Sequence, residues 1–160
     1  MEIAELQAPF AAWLGRWEGE GRGLWASDPP FRYRETLAIE AVAGRPLLRL
    51  SQRTTDLGTG ELSHSEVGFL RLLQEQKVEL VVAVPAGYVE IHTGRLQGPV
   101  LALEPELVAA SPAARPLRLV QRRMELAEGV LRSSLGIAVG SGPVQAHVAA
   151  DLYPVTERTG

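Results

Sequence analysis

Apolar and polar residues alternate along most of this chain. From Phe31 the pattern sets Phe31, Tyr33, Leu37, Ile39 and Ala41 on one face and Arg32, Arg34, Thr36 and Glu40 on the other, the period of two expected of a strand with one side on a core and one in water. Comparable runs cover residues 46–55, 62–73, 78–84, 88–93, 99–103, 115–126, 130–139 and 144–155. Each is bounded by turn chemistry: Ala43-Gly44-Arg45, Asp56-Leu57-Gly58-Thr59-Gly60, Pro85-Ala86-Gly87, Gln97-Gly98, Glu128-Gly129 and Gly140-Ser141-Gly142. An earlier strand alternates Trp17, Gly19, Gly21 and Gly23 with Arg16, Glu18, Glu20 and Arg22. Glycine weakens a strand, so three in a row of alternate positions predict a bend, a bulge or the close approach of another group. Ahead of it Ile3, Leu6, Phe10, Trp13 and Leu14 lie at nearly helical spacing, with Pro9 placed to start a second short turn. This segment reads as a short helical plug.

About ten short strands joined by tight turns, with almost no helix, predict an all-β, antiparallel up-and-down β-barrel that closes on itself and so removes its exposed edges. A flattened sandwich is the competing arrangement. Eight strands make a barrel about filled by its own side chains, and ten leave more room inside. With 160 residues the chain is read as a single domain spanning 1–160, large enough to bury roughly 70% of its unfolded surface.

Composition narrows the chemistry. There is no cysteine, which removes disulfides, thiolate zinc sites and a cysteine nucleophile together. The net charge is −3 and the 16 basic residues are scattered, so no basic stripe favours nucleic acid. No apolar run reaches the ~18 residues of a membrane span, and the N-terminus lacks a leader pattern. The expectation is a cytoplasmic protein without a nucleic-acid or membrane partner. A homodimer through an outer barrel face is open, with no particular residue marking it.

The opening strand reads Gly15-Arg16-Trp17-Glu18-Gly19-Glu20-Gly21, or G-x-W-x-G-x-G. With Phe31-Arg32-Tyr33-Arg34-Glu35, His64-Ser65-Glu66-Val67-Gly68-Phe69-Leu70-Arg71, Ala86-Gly87-Tyr88-Val89-Glu90-Ile91 and the closing Pro143-Val144-Gln145-Ala146-His147-Val148-Ala149-Ala150-Asp151-Leu152, the chain resembles nitrobindin over residues 6–153. That family is a ten-stranded heme-binding barrel similar in shape to fatty-acid-binding proteins. The resemblance implies a ferric heme b at the mouth of the barrel. It assigns the proximal iron ligand to His147, with the opposite face of the iron open to nitric oxide and to peroxynitrite, which the family isomerises to nitrate. Ser27 falls where the family carries a threonine near the heme, although Trp25-Ala26-Ser27-Asp28 replaces the family's Tyr-Pro-Thr-Ile. Arg115 falls on a basic position suited to a heme propionate, with a solvated loop arginine as the alternative, and Trp25 reads either as lining the pocket mouth or as a surface aromatic. Gly15, Trp17, Gly19 and Gly21 are read as mainly structural. The alternatives are a non-catalytic carrier of an apolar small molecule or lipid in the same cavity, and a structural barrel filled by its own side chains.

The histidines are weighed on the pattern as well. Alternation puts Val144, Ala146, Val148, Ala150 and Leu152 on the apolar face of the last strand and turns His147 outward, unless a bulge intervenes. His64 and Glu66 share a strand face and read as a surface pair. His92 sits beside Glu90 on what reads as the less apolar face of its strand, and no second axial ligand is expected.

Overall fold

The computed structural model describes residues 2–25 and 28–156. A helix, α1 (Ile3–Gln7), runs into a 3-10 turn, Ala8–Trp13, started by Pro9. Ten strands follow: β1 (Gly15–Gly23), β2 (Phe31–Ala41), β3 (Leu47–Asp56), β4 (Leu62–Leu72), β5 (Lys77–Val84), β6 (Tyr88–Gln97), β7 (Val100–Ala110), β8 (Leu119–Ala127), β9 (Val130–Ala138) and β10 (Gln145–Pro154). Every strand pairs antiparallel with its sequence neighbours, and β10 returns to pair with β1, closing the barrel. The predicted up-and-down barrel is therefore the fold, and the sandwich is excluded. Among the described residues no helix is long and apolar enough to cross a membrane.

Two boundaries differ from the pattern. β7 continues past Leu103 through Pro105 to Ala110, and residues 115–118 are loop. β7 and β8 share only four residue pairs, ending at Leu103 opposite Arg122. Beyond Leu103 the β8 side of β7 carries no ladder, so a residue without an N–H is tolerated there. The barrel consequently opens between these two strands, next to the loop that holds Arg115.

The glycines of β1 answer to close approach. A Cβ on Gly19 would meet the carbonyl oxygen of Asp151 on β10 at 1.9 Å, and one on Gly21 would meet the Tyr33 ring at 2.4 Å. Bare backbone at these positions lets β10 come in against β1 and lets Tyr33 lie across it. At the far end Phe10 and Trp13 cap the barrel, both buried, and the Trp17 indole donates to the Trp13 carbonyl at 2.9 Å.

Inside, the side chains form three layers. Along β2 these are Phe31 and Tyr33 at the mouth, Glu35 at the waist, and Leu37 and Ile39 at the floor. The waist carries a polar network from β2, β3, β4, β6 and β8. Arg122 of β8 donates to both oxygens of Glu66 (2.7 and 2.9 Å) and to Glu90 (2.8 Å), while His92 bonds Glu90 (2.8 Å) and His64 bonds Glu66 (3.2 Å). Burial pushes the Glu66 carboxyl up, but Arg122 and His64 outweigh it and hold it down at about 2. Burial also acts on Glu90, and again its partners, His92 and Arg122, prevail and lower it. Glu35 is the exception. Burial raises its carboxyl against a single hydrogen bond from the Gln52 amide at 3.0 Å.

The waist carries opposite pH signatures. Glu66 and Glu90, lowered in the fold, contribute stability above their ordinary value of 4.5 that is lost as pH falls through their folded values, near 2 for Glu66. Glu35, raised in the fold, costs stability as pH climbs above 4.5, because the unfolded chain releases its proton first. Replacing it by Gln removes that cost and supplies a donor for the Gln52 Oε1, which is buried without a partner among the described residues. Thermal melts of Glu35→Gln should show a gain at pH 7 that shrinks below pH 4.5 to the added hydrogen bond alone, about 1 kcal/mol; a gain that is the same at pH 4 and pH 7 contradicts the assignment. Gly19→Ala should lower stability by roughly 3 kcal/mol, the upper range of overpacking, because its Cβ meets backbone; a melting temperature within a degree of the parent contradicts it.

Candidate functional site

Between mouth and floor lies one cavity of about 470 Å3, within the range of small-molecule and cofactor pockets. Its upper wall is apolar and aromatic: Trp25, Phe31, Tyr33, Tyr88, Leu117 and Ile137. Its lower boundary is the polar waist.

His147 stands in the upper wall because of a bulge. β10 pairs Ala146 with Gly136 and Val148 with Leu135, leaving His147 without an opposite residue on β9. The extra residue resets the alternation, so His147 and Val148 both line the cavity while Ala150 and Leu152 keep the inward phase below. Strict alternation had turned His147 outward; the bulge reverses that.

Leu24 holds the imidazole in place. Its N–H donates to the His147 carbonyl at 2.8 Å, and its own carbonyl accepts from His147 Nδ1 at 2.5 Å. A carbonyl only accepts, so Nδ1 carries the ring proton and the Nε2 lone pair is left for a ligand. Burial lowers the His147 pKa, opposed by the Leu24 carbonyl, which keeps the ring neutral at pH 7. Trp25 and Phe31 stand edge-on to it, with ring centroids 5.2 and 6.4 Å away. Among the described residues no group of three or more His, Asp and Glu side chains is arranged to hold a metal ion; an iron carried by a cofactor at the mouth would meet the His147 Nε2. A flat apolar ring system carrying such an iron fits a mouth of this composition.

Arg115 lies at the rim beside the opening between β7 and β8. Its guanidinium sits 5.3 Å from the Trp25 ring centroid, within cation–π distance, and its carbonyl accepts from the Tyr88 hydroxyl at 2.5 Å. Arg115, Trp25 and His147 thus share one end of the cavity. Ser27 lies outside the described residues. Asp28 is exposed. Gly15, Trp17, Gly19 and Gly21 lie in β1 and do not themselves line the cavity, although Gly21 makes room for Tyr33, which does. Burial, with Glu35 beneath, raises the Tyr33 phenol, which stays protonated.

Two sequence expectations are corrected. His64 and Glu66 are not a surface pair, since Glu66 is largely buried and both line the cavity. His92 and Glu90 are not on the outer face but are fully buried inside. The error at β6 arose because its outward residues, Val89 and Ile91, are more apolar than its inward ones. The waist as a whole went unread, although parity marks it: Glu35 keeps step with Tyr33 and Leu37, Glu66 with Gly68 and Leu70, and Arg122 with Val120 and Met124.

Comparison with known proteins agrees with this geometry. Residues 7–153 match the model of the THAP4-like, heme-binding β-barrel domain. A protein named peroxynitrite isomerase 1 from Rhodococcus jostii is 37% identical over 145 residues, 91% of this chain and 80% of that protein. Peroxynitrite isomerase 1 from Mycobacterium tuberculosis is 33% identical over 159 residues, 95% of this chain and 96% of that protein. The crystal structure of Rv2717c from M. tuberculosis superposes with a TM-score of 0.87 at 31% identity, covering 97% of this chain and all of that one. By fold, by coverage and by its motifs, the chain belongs to the THAP4-like heme-binding β-barrel family, the nitrobindins.

Proposed function

We propose that the protein is a heme-dependent peroxynitrite isomerase that also binds nitric oxide, with His147 as the proximal ligand. The observation that carries this reading is the bulged His147, whose Nδ1 is committed to the Leu24 carbonyl and whose Nε2, without a partner among the described residues, stands at an aromatic cavity mouth. It is supported by membership of a heme-binding family and by relatives named for the isomerase activity. Bound heme b supplies an iron centre with an open position for a small ligand. The chain's own residues do the rest. The Leu24 carbonyl fixes the imidazole's tautomer and orientation and raises its donor strength, as a partner behind a ligating histidine does. Trp25, Phe31 and Ile137, which line the mouth, would keep water from a flat cofactor held there. Arg115 offers a guanidinium for a propionate. Conversion of peroxynitrite to nitrate rearranges the same atoms with no net electron or proton, so the site needs no reductant.

The carrier alternative gains nothing from the waist. A fatty-acid carboxylate entering the cavity would meet Arg122 already neutralised by two carboxylates, with Glu35 beside them.

Hemin titration of the apo-protein, followed by the Soret band, should saturate at one equivalent. His147→Ala should weaken uptake at least tenfold, about 1.4 kcal/mol, and alter the band; uptake indifferent to His147 refutes the ligand assignment. Arg115→Ala should weaken hemin binding about threefold to tenfold and leave hemin dimethyl ester unaffected, since the ester has no charge to lose; equal losses for both would remove Arg115 from the propionate role. Ferric holoprotein should speed peroxynitrite decay above free hemin and yield nitrate, and a rate no better than free hemin would end the isomerase reading.

A further inference from the structure

Glu35, Glu66 and Glu90 all line the cavity at the waist, and Arg122 divides its guanidinium between two of them. Glu66 and Glu90 each have a histidine besides. Glu35 has neither. It is only 2% exposed, and its hydrogen bond comes from the Gln52 amide to Oε1 at 3.0 Å, while Oε2 has no partner among the described residues. The strands beside it explain the gap. Opposite Glu35 on β1 is Gly19, and beyond that on β10 is Leu152, with Ala150 facing Gly21 one step up, so this side of the barrel brings no side-chain donor. On the other side Thr54 lies opposite Glu35, but its hydroxyl is shared with Ser63 at 2.8 Å. Gln52 in turn keeps its Oε1 buried without a donor. A buried carboxylate without a cation is expensive, and nothing in the heme chemistry above makes use of this one.

We propose that Glu35 anchors a second ligand of this cavity, an apolar molecule ending in a protonated primary amine, with its ammonium at the waist and its body in the upper half. The ammonium supplies the positive charge that Glu35 lacks. Its three N–H donors match acceptors on the same stretch of wall: Glu35 Oε2, Gln52 Oε1 and the Thr54–Ser63 hydroxyl pair. Above them Tyr33, Val84, Leu117 and Ile137 give apolar surface for the body. Phe31, at the mouth, stands four residues up β2 from Glu35, about 13 Å at the rise of an extended strand, so an octyl chain reaches most of the way. Other head groups fit less well. A carboxylate meets no unpaired cation at the waist, and an alcohol answers the hydrogen bonds but not the charge. A divalent ion needs several oxygen ligands, and among the described residues no group of three acidic or histidine side chains is arranged to hold one. The amine site uses none of the groups assigned to the cofactor.

Isothermal titration calorimetry of the heme-free full chain, with n-octylamine, n-octanol and octanoate, compares three head groups on one body. Octylamine should bind at one equivalent and at least about tenfold more tightly than octanol, the difference expected of a hydrogen bond to a charged group. Octanoate should be the weakest of the three. Glu35→Gln, which should fold at least as stably as the parent, should bring octylamine to within about twofold of octanol and leave octanol itself unchanged. Glu104→Gln, which removes an exposed carboxylate of β7, should alter none of the three, and circular dichroism should show both variants folded. Octylamine bound no better than octanol, or not saturably at millimolar concentration, overturns the proposal. So does an amine preference that survives Glu35→Gln, which would place the amine elsewhere on the protein. Hemin uptake, followed separately by the Soret band, is untouched by either result.

Discussion

The seam between β1 and β10 is the contact on which barrel and site both depend. It joins the ends of the chain into a closed sheet, and it can form only because Gly19 leaves room for the Asp151 carbonyl. At its upper end the same pairing continues into the reciprocal hydrogen bonds between Leu24 and His147. The hydrogen bonds that close the barrel therefore also orient the imidazole. A first-strand motif rich in glycine and a histidine on the last strand, distant in sequence, belong to one piece of construction.

A buried charge network usually stabilises little beyond the cost of desolvating it, yet removing one partner is expensive. The waist follows that rule. Arg122 is enclosed by Glu66 and Glu90, each in turn bonded to a histidine, so its charge is spent within the protein and none is left for an incoming anion. What remains for a cofactor is the aromatic upper half of the cavity, with an imidazole nitrogen that has no partner among the described residues and one guanidinium at the rim. That division lets a single cavity hold a flat apolar cofactor at its mouth without drawing it down toward the floor.

The exterior shows the converse arrangement. On β6 the inward positions carry Tyr88, Glu90 and His92 and the outward ones Val89 and Ile91. Hydropathy alone inverts this strand, because Glu90 is paired inside with Arg122 and His92 and the outward apolar groups face residues of β5 and β7. The inversion is local. On β2, where the exterior carries Arg32 and Arg34, pattern and structure coincide.

Strand number, antiparallel order, the helical cap and the family are all legible in the chain, because period-two alternation, turn residues and a glycine-tryptophan motif act locally and repeat ten times. The close approach at the glycines of β1 was legible as a need for space, though not as to what fills it. The position of His147 was not: alternation sends it outward, and only the pairing of β10 with β9 decides that one residue is bulged and the phase reset. The waist was visible in parity but not in chemistry, since whether a carboxylate on an inward position is neutral, paired or misplaced depends on residues brought together from other strands. Local periodicity determines which elements form; register across the closed sheet determines what their side chains meet.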